Sequence, residues 1–183
     1  TMAAGLAHEL NNPAAAARRA AAQMEEALQV IASTISRFVD AGIEREQACG
    51  LVELQQEAVD GARKRRAVDA LDAADAEDEL HDRLERLGVP EPWRLAEPLA
   101  TAGVDAEWLD RVSELAGPAT GAAVEWVAAT LTARGLVGDL QESTKRMSDL
   151  VHAVKSYAYM DRGDLVEVDV HEGLETTLAV LGH

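Results

Sequence analysis

The sequence predicts an all-α protein. Its centre is a long antiparallel helical hairpin that becomes a four-helix bundle as a dimer, with a helical insertion between the two helices and a short strand and helix at the C-terminus. Three observations predict this. Aromatic residues are only 3% of the chain while alanine is over-used, a mixture that suits closely packed helices and excludes an all-β fold. Two stripes of apolar residues, one near each end, are spaced alternately by four and three. With 183 residues, of which 48% are hydrophobic, the chain can fill about one domain and one insertion.

The first stripe runs Leu6, Leu10, Ala14, Ala17, Ala21, Met24, Leu28, Ile31, Ile35 and Phe38, the seam of a helix over 1–39. Pro13 lies inside it, where it removes one backbone donor and crowds the carbonyl four residues back, so a bend near Glu9 is expected rather than a stop. The second stripe, Leu136, Leu140, Thr144, Met147, Val151, Val154 and Ala158, predicts a helix over 136–163 ending at Gly163 in a left-handed cap. Each helix hides one stripe, and a lone pair of such helices buries little. Doubling the hairpin solves that.

After Gly163 the period changes to two. Leu165-Val166-Glu167-Val168-Asp169-Val170 alternates as a strand does, and Asp169 to Glu172 has the form of a capping box before a short helix. A strand and helix with nothing to pair against are expected to open a further domain, over 164–183.

The insertion, 40–135, is helical in composition and broken by turns. The basic run Arg63-Lys64-Arg65-Arg66 and the acidic stretch from Asp69 to Glu79 read as solvated helix faces. A repeat of period 15 follows, in which Leu84-x-x-x-Gly88-Val89-x-x-x-Trp93 matches Leu99-x-x-x-Gly103-Val104-x-x-x-Trp108. Each unit ends a helix at glycine, buries a valine in the turn and opens a helix with a tryptophan, so both tryptophans are expected as core anchors.

A net charge of -16 makes nucleic acid and anionic membranes poor partners for the bulk of the chain. The single cysteine, Cys49, forms no internal disulfide, which fits a reducing, cytoplasmic setting. No apolar run reaches the roughly 18–20 residues of a membrane span.

One window carries chemistry: Leu6-Ala7-His8-Glu9-Leu10-Asn11-Asn12-Pro13. His8 is about 200° round the helix from Leu6 and Leu10 and so points away from the seam, with Asn12 within about 40° of it. A carboxylate beside an exposed imidazole can orient the ring and leave one nitrogen as nucleophile, and an amide one turn on can position water. An isolated His-Glu pair would be a mere surface histidine. Zinc ligation by His-Glu-x-x-His fails because Asn12 occupies the second ligand position. His81, His152, His171 and His183 show no metal-ligand spacing.

The string Ala4-Gly5-Leu6-Ala7-His8-Glu9-Leu10-Asn11-Asn12-Pro13 resembles the H-box of sensor histidine kinases, in their dimerisation and histidine-phosphotransfer domain. Ser148-Asp149-Leu150-Val151 through Lys155-Ser156-Tyr157 and Met160-Asp161 resembles the second helix of that hairpin, and Val168-Asp169-Val170-His171-Glu172-Gly173-Leu174 the opening of the ATP-binding domain. The resemblance covers roughly the first 40 and last 45 residues and leaves the middle unmatched.

The resemblance implies that His8 is the phosphoacceptor, Glu9 the adjacent acid or base that orients the ring, Asn12 the holder of the dephosphorylating water, and Pro13 the source of the helix bend. It implies a homodimer whose partners are a response-regulator receiver domain and its own ATP-binding domain. ATP and Mg would be used by that domain, with no cofactor or metal bound by these residues. Arg18 and Arg19 could meet an acidic partner but read as surface charge. The whole would be a cytoplasmic protein-histidine kinase, of which this piece alone is expected to be inactive and to bind no nucleotide. Two rivals stand beside it: a non-catalytic helical scaffold or sensor working through 40–135, and a monomeric phosphotransfer domain. The heptad seam and Pro13 speak against the second.

Overall fold

The computed structural model describes residues 2–64, 70–160 and 169–181. They are helical: α1 (Met2–Asp40), α2 (Arg45–Lys64), α3 (Ala70–Arg86), α4 (Pro92–Ala102), α5 (Ala106–Ala116), a 3₁₀ turn (Gly117–Ala119), α6 (Thr120–Met160) and α7 (Val170–Leu181). The all-α class stands. Among the described residues there is no strand, and Val170, placed in one by alternation, is the first residue of α7. The Asp169 carboxylate accepts the His171 backbone N–H at 2.8 Å, so the local capping bond outcompetes extension there. The rest of the expected strand, Leu165–Val168, and Gly163 lie outside the described residues, as do Arg65 and Arg66.

Two compact units divide the chain, one formed by residues 22–136 and the other by 1–21 with 137–183. The unit of 22–136 holds the main core. There α2 and α3 each pack on α4 and α5. Leu51 and Leu54 of α2, Leu84 of α3, Leu99 of α4 and Leu109 of α5 share one buried apolar cluster with Val124 and Val127 from the first half of α6. Burial of such side chains contributes about 1.5–3 kcal/mol each. The 22–136 unit therefore has a core of its own, and α6 begins in it: the helix expected from 136 starts at Thr120 and runs 41 residues. Its first turns carry Ala122, Ala123 and Val124, all buried, so tertiary burial extends the helix back past the stripe that ends it.

Three turns in this unit have one geometry. Gly88 (φ 69°) and Gly103 (φ 84°) are left-handed, and the valine after each donates to the carbonyl five residues back, Val89 to Leu84 and Val104 to Leu99, both at 3.0 Å. These are Schellman caps with their apolar contact, since all four side chains are buried. The period-15 repeat is thus a repeated helix stop. A third copy ends α1, where Gly42 (φ 69°) precedes Ile43, which donates to Phe38 at 3.1 Å.

The helix starts diverge. Asp105 caps α5 in extended conformation, its carboxylate accepting from the Trp108 backbone N–H at 2.8 Å. Trp108 is 3% exposed and donates its indole N–H to the Leu54 carbonyl at 3.2 Å. Trp93, its counterpart, is 64% exposed, so only one of the two expected anchors lies in the core. The N-cap of α4 is Glu91 in left-handed conformation (φ 50°, ψ 52°), with no side-chain cap, and this start turns Trp93 outward.

Within the same unit, the C-terminal half of α1 lies beside α6: Arg37 pairs with Glu125, and Phe38 meets Trp126 edge to face at 5.9 Å. The buried face of α1 here is Ala27 and Thr34, one residue before the expected Leu28 and Ile35, which are 55% and 58% exposed. The period is as expected and the phase holds in part: Met24, Ile31 and Phe38 of the expected stripe are half-buried, while Leu28 and Ile35 face out and Ala27 and Thr34 take the most buried positions.

In the unit of 1–21 and 137–183, α1 runs through Pro13 without a break. Proline here is buried, and Leu10, Ala14 and Ala17 are half-buried, so the expected seam is inward over this stretch. On α6 the inward positions are Leu140, Ser143, Met147, Leu150 and Ala153–Val154, by threes and fours, while Thr144 and Val151 of the expected stripe are exposed.

Candidate functional site

The first turns of α1 present the residues singled out by sequence. Alanines and leucines at three- and four-residue spacing fix which side of the helix turns inward, and the polar residues between them are thereby placed outward. His8 and Asn12 are exposed, Glu9 is half-buried, and Pro13 is buried. One helical turn separates His8 from Asn12, so imidazole and amide share the exposed face. Pro13, five residues on, belongs to the opposite side.

His8 and Glu9 do not meet. Neighbours on a helix diverge by about 100°, and neither side chain has a hydrogen bond or ion pair among the described residues. Asn11 is also exposed. Eleven residues after His8 the helix has turned three times, which returns Arg19 to within about 20° of the His8 face. Arg18 and Arg19 are exposed and carry no ion pair among the described residues. Imidazole, amide and guanidinium therefore line one side of a single helix. Such a face offers a nucleophile, a water-holding group and a cation for an anionic partner.

On the second stretch of the resemblance, Asp149 pairs with Lys145 one turn before that stretch at 3.1 Å, His152, Lys155 and Ser156 are exposed, and Asp161 lies outside the described residues. In α7, His171 is exposed. His81 departs from the expectation of isolation: its ring, Asp82 and Glu85 bring one ligand atom each within 4.8 Å of one another. The signal was present as His-Asp-x-x-Glu, one turn of a helix. All three belong to α3 and the carboxylates are exposed, so no second element closes the group.

Ion pairs elsewhere join helices within the unit of 22–136. Arg83 donates to Asp110 between α3 and α5 at 2.7 Å. Arg111 and Glu57 form a two-pronged pair between α5 and α2, and the hydrogen bond to Glu57 holds the Arg111 guanidinium above its ordinary range. Cys49 is exposed. Among the described residues, no helix is long and apolar enough to cross a membrane.

No protein-family model matches the chain, and neither does any curated protein or solved structure.

Proposed function

We propose that this chain is the dimerisation and phosphoacceptor module of a cytoplasmic two-component sensor histidine kinase. The observation that carries the reading is the placement of His8 and Asn12 on the exposed face of α1, with Pro13 of the same H-box-like string on the buried side. In this reading the γ-phosphoryl of ATP moves to His8. An imidazole nitrogen attacks phosphorus, the bond to the bridging oxygen breaks, ADP leaves, and the ring proton passes to Glu9, whose carboxylate stands apart from the ring in this structure and has to swing toward it for that step. Phosphoryl transfer asks the protein chiefly for in-line positioning, which a stiff helix gives.

The phosphoramidate then yields its phosphoryl to an aspartate oxygen of a receiver domain, and the imidazole recovers a proton. Arg19, on the His8 face, suits the acidic surface of such a partner. Asn12 holds water for the reverse duty of dephosphorylation. Mg-ATP is held by the ATP-binding domain that α7 opens, and two copies join hairpin to hairpin as an antiparallel four-helix bundle. Exposed Leu28 and Ile35, one heptad apart on α1, and exposed Val137 and Val151, two heptads apart on α6, support that last step.

The test is labelling of the full-length protein with γ-labelled ATP beside a His8→Ala version. Acid-labile, base-stable label on the parent alone is the expected result. Equal labelling moves the site elsewhere. A folded, ATP-binding parent without label favours the scaffold reading, which the separate core of the 22–136 unit would serve.

A further inference from the structure

Between α1, α4 and α6 of the 22–136 unit lies a cleft of about 370 Å³. Each helix lines it with the same pattern of positions i, i+3, i+4 and i+7. These are Gln23, Glu26, Ala27 and Val30 on α1; the N-cap Glu91 with Arg94, Leu95 and Pro98 of α4; and Glu125, Ala128, Ala129 and Thr132 on α6. Alanine stands at three of the four middle positions of α1 and α6, Ala27, Ala128 and Ala129, where larger side chains would fill the space. The cleft exists because these residues are small.

Its polar groups are unbalanced. Three carboxylates, Glu26, Glu91 and Glu125, face one guanidinium, Arg94. Arg94 holds Glu91 at 2.7 Å, and Arg37 holds Glu125. Glu26 has no ion pair among the described residues. Glu26 is exposed at the rim of this apolar floor, and with the other two carboxylates offset by Arg94 and Arg37 it leaves one uncompensated negative charge at the mouth.

The backbone marks the same place. Glu91 is the one non-glycine residue of positive φ among those described. A left-handed residue costs about 1–2 kcal/mol, and Pro92 further restricts it. The sister turn of the repeat needs no such strain, since Asp105 caps α5 in extended conformation. Strain of this kind concentrates at ligand sites.

We propose that this cleft binds a small organic cation with an apolar body, the body on Ala27, Ala128 and Ala129 and the cationic group at Glu26. The proposal stands apart from any role of His8. Cyclohexylammonium and its neutral counterpart cyclohexanol are the probes, titrated into the chain labelled at alanine methyls and followed by NMR. Expected are saturable shifts at the Ala27, Ala128 and Ala129 methyls, with the ammonium binding about two- to fivefold more tightly than the alcohol, as a partly exposed ion pair allows. Glu26→Gln should erase that preference and keep the shifts of the alcohol. Absence of saturable shifts at these methyls, equal binding of the two probes, or a preference unmoved in Glu26→Gln would each overturn the proposal.

Discussion

Trp93 and Trp108 hold the same place in two copies of a fifteen-residue unit, and the fold treats them oppositely: one is 64% exposed, the other 3%. Both follow a glycine stop and a buried valine. The difference lies in the intervening cap. Asp105 is an ordinary extended N-cap and directs Trp108 onto α2, where its indole finds the Leu54 carbonyl. Glu91-Pro92 starts α4 from a left-handed residue and leaves Trp93 in solvent.

Truncation of the two should therefore separate cleanly. Trp108→Ala removes a filled core position and a buried hydrogen bond and is expected to cost about 3–5 kcal/mol. Trp93→Ala should change stability by no more than about 0.5 kcal/mol. Urea denaturation followed by circular dichroism reads both. Similar losses would mean that Trp93 is packed in solution.

The repeated stop was legible because leucine, glycine and valine must recur at fixed places for a left-handed cap with its apolar contact. Its third copy, Phe38-x-x-x-Gly42-Ile43, escaped notice because its apolar residues differ in type. The helical class and the outward placement of His8 and Asn12 were legible from spacing alone. The phase of α1 beyond Ala21 was legible only in part: Met24, Ile31 and Phe38 turn inward as their spacing implies, but Ala27 and Thr34, beside Leu28 and Ile35, take the most buried positions. Nor could spacing reveal where α6 begins, because Ala122 to Val127 are apolar on nearly every side.

Left-handed glycines at the three stops make a second test. Gly42 and Gly88 have open space where a Cβ would stand, so the cost of substitution is conformational alone. Gly88→Ala and Gly42→Ala should each lose about 1–2 kcal/mol in denaturant titration. A neutral result would mean that these helices stop by another route.

Helical glycines divide in the opposite sense. A Cβ at Gly61 on α2 would stand 3.2 Å from the Ala102 carbonyl oxygen on α4, a backbone atom that cannot swing aside. A Cβ at Gly138 on α6 meets nothing. Gly138→Ala is expected to gain roughly 0.5–1 kcal/mol from helix propensity. Gly61→Ala should lose that gain to crowding and come out destabilised by about 1 kcal/mol. Thermal unfolding of the two variants gives shifts of opposite sign. A stabilised Gly61→Ala would mean that α2 and α4 have room to part.

Leu28 and Ile35 bear on assembly. They are seven residues apart, more than half exposed, and succeeded by Val39 at 75% exposure. Large apolar side chains at heptad spacing on a helix whose other face is already buried form a second seam. Water penalises that seam in a lone chain, and a second copy removes the penalty. Glutamate keeps helix propensity while placing charge in the seam. Leu28→Glu with Ile35→Glu is therefore expected to convert the proposed dimer to monomer in sedimentation equilibrium, with unchanged helical circular dichroism because both side chains are more than half exposed. Val151→Glu should weaken the dimer alone. A wild-type monomer, or a dimer indifferent to all three changes, would remove the support that these positions lend to a bundle of two hairpins.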